Sequence, residues 1–260
     1  MKITYIGHSG FWVELERAVL LFDYYQGEIP KLPEGKKLYV FSSHRHGDHF
    51  NPEIFALAKQ YEDVQYVFSR DIWRSRVPEE LQAQVVQMKA NTEWTAGSEA
   101  DGPPELPKVN TAAAYRPLEI QKTDVGMTVR TLRSTDAGVA FLVQTEGRTL
   151  YHAGDLNDWR WEGEPEDWNR RMGENFKKFL EPIRGWKINA AFVPLDPRQE
   201  GNYALGLDYF LGLVDVEKVY PMHCWEDYSV IHRWFLEHPD SPYREKIIKI
   251  SGRGESFFQE

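Results

Sequence analysis

The segment SSHRHGDHF, residues 42 to 50, packs His44, His46 and His49 together with Asp48, which is three of the eight histidines in the chain. Imidazole nitrogens and carboxylate oxygens are the usual ligands of zinc and its first-row neighbours. His44 and His46 stand two apart just past an extended run, so their side chains can point the same way. Gly47 permits the turn that returns Asp48 and His49 to the same place. A solvated polar loop is the bland alternative, but so tight a cluster is a strong metal pattern.

Such a cluster needs a rigid frame. The runs KITYI, FWVELE, AVLLFD and KLYVFSS are rich in β-branched and aromatic residues and read as strands. ELERAVL suggests a tight hairpin between the second and third. NPEIFALAKQ reads as a helix with Asn51 at its N-cap and Pro52 at its first position. VQYVF returns as a strand and PEELQAQVVQM as a helix. Residues 89–110 are polar and rich in Gly and Pro, and read as a loop excursion. YRPLEIQK, MTVRTLRS, VAFLVQT and RTLYHAG then form a second strand-rich block. Helical patterns follow in EPEDWNRRMGENFKKFLEPI, YALGLDYFLGLV and EDYSVIHRWFLEH, alternating with strands INAAFVPL, KVYPM and EKIIKIS. Strands followed by helix occur twice, so the expectation is an α/β fold with helices covering two sheets, in one domain over residues 1–260. The metal cluster falls where a strand ends and a helix begins, the usual ligand position in α/β sheets.

Composition narrows the function classes. A net charge of −9 over 260 residues argues against nucleic acid as a partner, which would need a basic face. The single cysteine, Cys224, leaves no internal disulfide, and one cysteine is more often buried than a ligand. The N-terminal run has no apolar core of signal-peptide length, and no stretch approaches the ~20 apolar residues of a membrane span. The expectation is a cytoplasmic protein acting on a small molecule, with homo-oligomer formation left open.

His-x-His-x-Asp-His after a strand, preceded by GHSGFWVE and LLFD, resembles the metallo-β-lactamase superfamily. More narrowly, it is similar to lactonase-like and phospholipase-D-like metal-dependent hydrolases. YHAGDL matches that superfamily's strand-Gly-Asp signature, and VYPMHCW its last motif. The resemblance implies a four-layer αβ/βα sandwich, Asp155 as the carboxylate bridging two metals, and His223 as a ligand beside Asp48 and His49. It also implies that Asp23, ending LLFD, orients a ligand histidine, with a turn role as the alternative.

One expected histidine is absent. Between the first cluster and Asp155, where the family places a further ligand, this chain reads LRSTDAGVAFLV. Asp136 either supplies an oxygen there or shapes the turn with Gly138. Oxygen in place of nitrogen would move the preference from zinc towards manganese or iron. The expected cofactor is one or two divalent ions, zinc first, with manganese or iron as alternatives.

His8, in IGHSG, either faces the metal pocket as a proton donor or substrate contact, or is a hydrogen-bonded loop residue. His152 is expected to pack or support rather than ligate, and His232 and His238 to lie at the surface or in the core. Arg198, in PLDPRQEGNY, either clamps an anionic substrate with its planar fork or braces an aspartate within its loop. Trp159 and Trp161 either wall the substrate pocket or belong to the core, and core is expected for Trp168.

A hydroxide generated on such metals near neutral pH would attack a carbonyl carbon or phosphorus, with Asp48 orienting it and accepting its proton. The expected activity is hydrolysis of an ester, lactone or phosphodiester in a small, anionic substrate. A metal-binding scaffold or sensor without that chemistry is the alternative.

Overall fold

Alternate residues along the first strands are apolar on both sides, the pattern of a sheet covered on two faces. The computed structural model describes residues 1–96 and 126–260. Its first strands are β1 (Lys2–Gly7), β2 (Gly10–Glu14), β3 (Ala18–Phe22), β4 (Lys37–Ser42), β5 (Val64–Ser69) and β6 (Val85–Met88). They are followed by β7 (Glu93–Thr95), β8 (Thr128–Arg133), β9 (Val139–Thr145), β10 (Arg148–His152), β11 (Lys187–Pro194), β12 (Asp215–Met222) and β13 (Ser256–Phe258). One sheet has the order β13-β1-β2-β3-β4-β5-β6 and the other β12-β11-β10-β9-β8-β7. Each joins an antiparallel meander to parallel strands, as β1-β2-β3 joins β4-β5-β6 and β8-β9-β10 joins β11-β12. Both sheets are therefore mixed, and the two halves expected from the sequence are present.

The period of two sorts the side chains. Phe11, Val13, Leu20, Phe22 and Phe41 face the second sheet, while Trp12, Val19, Leu21 and Val40 face outward. Phe11 and Phe22 meet Phe192 of β11 at ring separations of 4.4 and 5.7 Å, and Phe41 meets Phe141 of β9 at 5.3 Å. The outer face of the first sheet is closed by Ile54, Phe55 and Leu57, from a 3₁₀ turn (Pro52–Ala56) and α1 (Leu57–Gln60). The second sheet is covered by α2 (Glu166–Leu180) and α3 (Leu205–Leu213), with Tyr151 of β10 stacked on Phe210 at 5.1 Å. α4 (Ser229–Glu237) adds Ile231 and Trp234 to the same core. The result is the expected four-layer αβ/βα sandwich.

Some elements differ from expectation. Asn51 caps as expected, accepting from the Glu53 N–H, but the first turn after it is 3₁₀. PEELQAQVVQM is not one helix: Glu79–Gln84 is 3₁₀, and Val85 onward is β6, parallel to β5. The β-branched pair Val85–Val86 gains a ladder there that outweighs a continued helix. EKIIKIS forms a 3₁₀ turn (Arg244–Lys246) and one bridge between Ile247 and Val219 rather than a strand. The loop expected over residues 89–110 contains β7, and its part beyond residue 96, like YRPLEIQK, lies outside the described residues.

Candidate metal centre

Five strands end at one edge of the sandwich, and each is followed within a few residues by a polar side chain. Asp23 follows β3, His44 follows β4, Asp155 follows β10, Asp196 follows β11 and His223 follows β12. His8, Asp23 and His223 adopt positive φ (54°, 39° and 65°), uncommon for residues other than glycine. The backbone of this edge is bent to aim side chains inward, and such strain clusters at functional sites.

Buried hydrogen bonds then fix each ring. Asp23 is fully buried and accepts from Ser43 N–H at 2.7 Å, Ser43 O–H at 2.6 Å and His49 Nδ1 at 2.7 Å. Ser43 Oγ in turn lies 3.0 Å from His44 Nδ1, so one carboxylate orients two imidazoles. On the other side Asp196, also fully buried, accepts from His223 Nδ1 at 2.8 Å. With Nδ1 engaged in this way, Nε2 of each ring faces the cleft, the arrangement that supports metal-ligating histidines.

Those Nε2 atoms converge on Asp155. His44 Nε2 lies 3.2 Å from its Oδ2, and His49 and His223 Nε2 lie 3.2 and 3.5 Å from its Oδ1. Yet among the described residues Nε2 of His8, His44, His49 and His223 and Oδ1 of Asp155 are buried without a hydrogen-bond partner of good geometry. Buried polar atoms are ordinarily satisfied, so a shared cluster of orphans calls for a further ligand. Ligand atoms lie within 4.8 Å of one another in four overlapping groups. These are His44 with His49 and Asp155, His44 with His46 and Asp48, His46 with Asp136 and Asp155, and His8 with Asp48, His49 and His223. A divalent cation fits this donor set in type and number.

The charges are mutually dependent. Burial would lower the His49 pKa, but Asp155 and Asp23 outweigh it and hold it well above the ordinary imidazole value. Burial would likewise raise Asp155, yet His49, His44 and His223 keep it well below the usual carboxylate range. Asp196 is held at about 2, because hydrogen bonds from His223 and Arg198 overcome its burial. Burial pushes His8 down to about 4 despite Asp48 at 3.5 Å, so its ring is neutral near pH 7.

The remaining residues sort by contact. His152 uses both nitrogens, accepting from Gly154 N–H at 3.1 Å and donating to the Ser9 carbonyl at 2.9 Å, which suits support rather than ligation. Cys224 is buried, His232 exposed and His238 half-buried. Arg198 lines the cleft, but its Nε and Nη2 donate to Asp196 at 3.0 and 2.6 Å, the brace rather than the free clamp. Trp159 lines the cleft with Trp161, and so does Trp168, which is half-buried rather than in the core as expected. Sequence reasoning missed Asp196 as the partner of His223. Its signal was present in PLDP, an aspartate ending a buried strand as Asp23 ends LLFD. Ser43 and Trp225 were also missed.

Residues 2–160 match a family described as the beta-lactamase superfamily domain. A protein of Paracoccus denitrificans named as a metal-dependent hydrolase is 39% identical over 56 residues, which are 19% of this chain and 24% of that protein. One of Opitutus terrae, named likewise, is 30% identical over 161 residues, 60% of this chain and 63% of that protein. The matches thus span from about a quarter to less than two thirds of these relatives' own lengths. Among solved structures, a metallo hydrolase of the archaeon Ignicoccus hospitalis is similar with a TM-score of 0.52 at 16% identity, over 100% of this chain and 99% of that one. At that identity the likeness shows the fold.

Proposed function

The chain belongs to the beta-lactamase superfamily, and from that premise we propose that it is a metal-dependent hydrolase using one or two divalent ions at the Asp155 centre. The observation that carries this reading is the set of orphaned Nε2 atoms aimed at a buried carboxylate. Its relatives' names point the same way.

In this reading Asp155 is shared by two half-sites. His44, His46 and Asp136 complete one, and Asp48, His49 and His223 the other. Asp136 takes the place of the absent histidine, since it lines the cleft and has a carboxylate oxygen within 4.8 Å of ligand atoms of His46 and Asp155. Asp23 and Asp196 position the rings. A divalent ion bound there supplies a Lewis acid and lowers the pKa of a water towards neutrality. Asp48, only half-buried, would orient that water and accept its proton. Neutral His8 lies beside Asp48, where it would donate a hydrogen bond to the substrate or otherwise contact it. The bonds best suited are those of esters, lactones and phosphodiesters, with zinc the first candidate and manganese or iron favoured by the added oxygen of Asp136.

Elemental analysis of protein purified without added metal or chelator tests the reading, followed by activity assays on the three bond classes. The wild type should carry at least one divalent ion per chain, Asp136→Asn should carry less, and Asp155→Ala should lose both metal and activity. A wild-type protein that neither retains nor takes up a divalent ion would overturn it. A metal-replete protein inactive on all three classes would instead support the scaffold or sensor.

A further inference from the structure

Four of the nine tryptophans in the chain border the cleft above the metal centre. Trp159 and Trp161 are parallel within 5° at a ring separation of 5.9 Å. Trp159 is buried, and its indole N–H donates to the Asp155 carbonyl at 2.8 Å, tying this wall to the loop that bears Asp155. Trp168 and Met172 come from the first turns of α2, and Trp225, 42% exposed, from the loop after His223. The cleft has a volume of about 440 Å³, room for a compound of two fused rings.

The one arginine on its lining is already engaged. The Arg198 guanidinium lies 4.3 Å from the centre of the Trp225 ring and 5.8 Å from that of Trp161, with its fork on Asp196. No lysine lines the cleft among the described residues. Asp48, Asp136 and Asp155 on the floor face the cation site. An anionic substrate group would find Nε and Nη2 of Arg198 already held by Asp196, with only Nη1 left to it, and would face the carboxylates of Asp48 and Asp136. A cationic one, although aromatic rings attract cations, would face both Arg198 and the divalent ion. Neither charge is favoured, whereas a flat uncharged π-system meets the partly exposed indoles of Trp161, Trp168 and Trp225.

We propose that the tryptophan wall recognises an uncharged planar aromatic group of the substrate, stacked against Trp161, Trp168 and Trp225, with the bond to be cleaved held over Asp155. The orientation of that bond rests on the metal-hydrolase reading, while the recognition itself is a binding property. It replaces the anionic group expected from the sequence with an aromatic one.

Calorimetric titration of the protein as purified compares 2-naphthylmethanol with its decahydro counterpart, which matches it in size and hydroxyl acidity but has no π-system. Stacking predicts that the aromatic probe binds roughly fivefold more tightly, within the range of measured aromatic pairs. Trp161→Leu and Trp168→Leu, both at partly exposed positions, should remove that preference while leaving the fold's thermal transition unchanged. Equal affinity of the two probes, or tighter binding of choline or succinate than of 2-naphthylmethanol, would overturn the proposal. The two readings fail separately. Preferential binding of the aromatic probe without hydrolysis of any ester, lactone or phosphodiester by the metal-replete protein upholds the recognition and sinks the hydrolase. Turnover of short aliphatic esters that 2-naphthylmethanol does not inhibit does the reverse.

Discussion

Asp23 and Asp196 do the same work on opposite sides of the cleft: each is fully buried, ends a strand, and holds a histidine by Nδ1. Such supports typically change metal affinity by about 10–100-fold when removed. Asp23 also bears on protonation, because together with Asp155 it raises the His49 pKa and so favours the protonated ring in the metal-free protein. A metal must displace that proton, so its binding should tighten as pH rises. The same raised pKa has a definite sign for metal-free stability. His49's contribution is complete below the unfolded value near ~6.5 and is lost as pH rises through the folded value. The depressed pKa of Asp155 acts oppositely, its contribution being present above about 4 and lost as pH falls through the folded value. Thermal melts of metal-loaded and chelator-treated protein between pH 6 and 9 should therefore diverge with rising pH. A gap that stays constant over this range would mean that no proton on His49 competes with the metal.

At the scale of elements, the centre depends on loops pressed together where the two sheets meet. Gly138, before β9, has φ +66°, and a Cβ there would overlap the Ser43 carbonyl and crowd His44. The Val139 N–H donates to that same carbonyl at 3.0 Å, joining β9 to the end of β4. Gly35 has a similar φ of +76° but nothing within 4 Å of its would-be Cβ. Gly35→Ala should thus cost only the left-handed backbone term, about 1–2 kcal/mol. Gly138→Ala should add overpacking of about 1–3 kcal/mol and weaken metal retention by moving His44. Equal denaturant midpoints for the two variants would show that the Ser43 contact does not restrain the loop.

The His44–His49 cluster was visible in the sequence because its candidate ligands are local, and the strands because their faces repeat every two residues. Asp196 was less visible, since its role follows from the distant His223. Likewise VVQM could be read either way until β5 was available to pair with it, and SFF near the C-terminus is too short to declare itself before it meets β1.

The whole molecule closes around this edge. Asp23, His44, His46, Asp48 and His49 come from the half built on the first sheet, and Asp136, Asp155, Asp196 and His223 from the half built on the second. The His223 N–H donates to the His8 carbonyl at 3.1 Å, and β13 returns from the second half to pair with β1, so the halves are also clipped by backbone. A cation bound by both sets of ligands would add a further clip at the open end of the sandwich. At a free metal concentration 1,000 times its Kd, such binding contributes about 4 kcal/mol. The distribution of that stabilisation distinguishes a clip from a local ornament. Hydrogen exchange should slow on loading at the ends of β4 and β12 together, although they belong to different sheets. The distant β5–β6 edge should change little, because its amides open without breaking the centre. Protection confined to the 42–50 loop would place the metal on the first half alone, and would remove Asp155 and His223 from the ligand set.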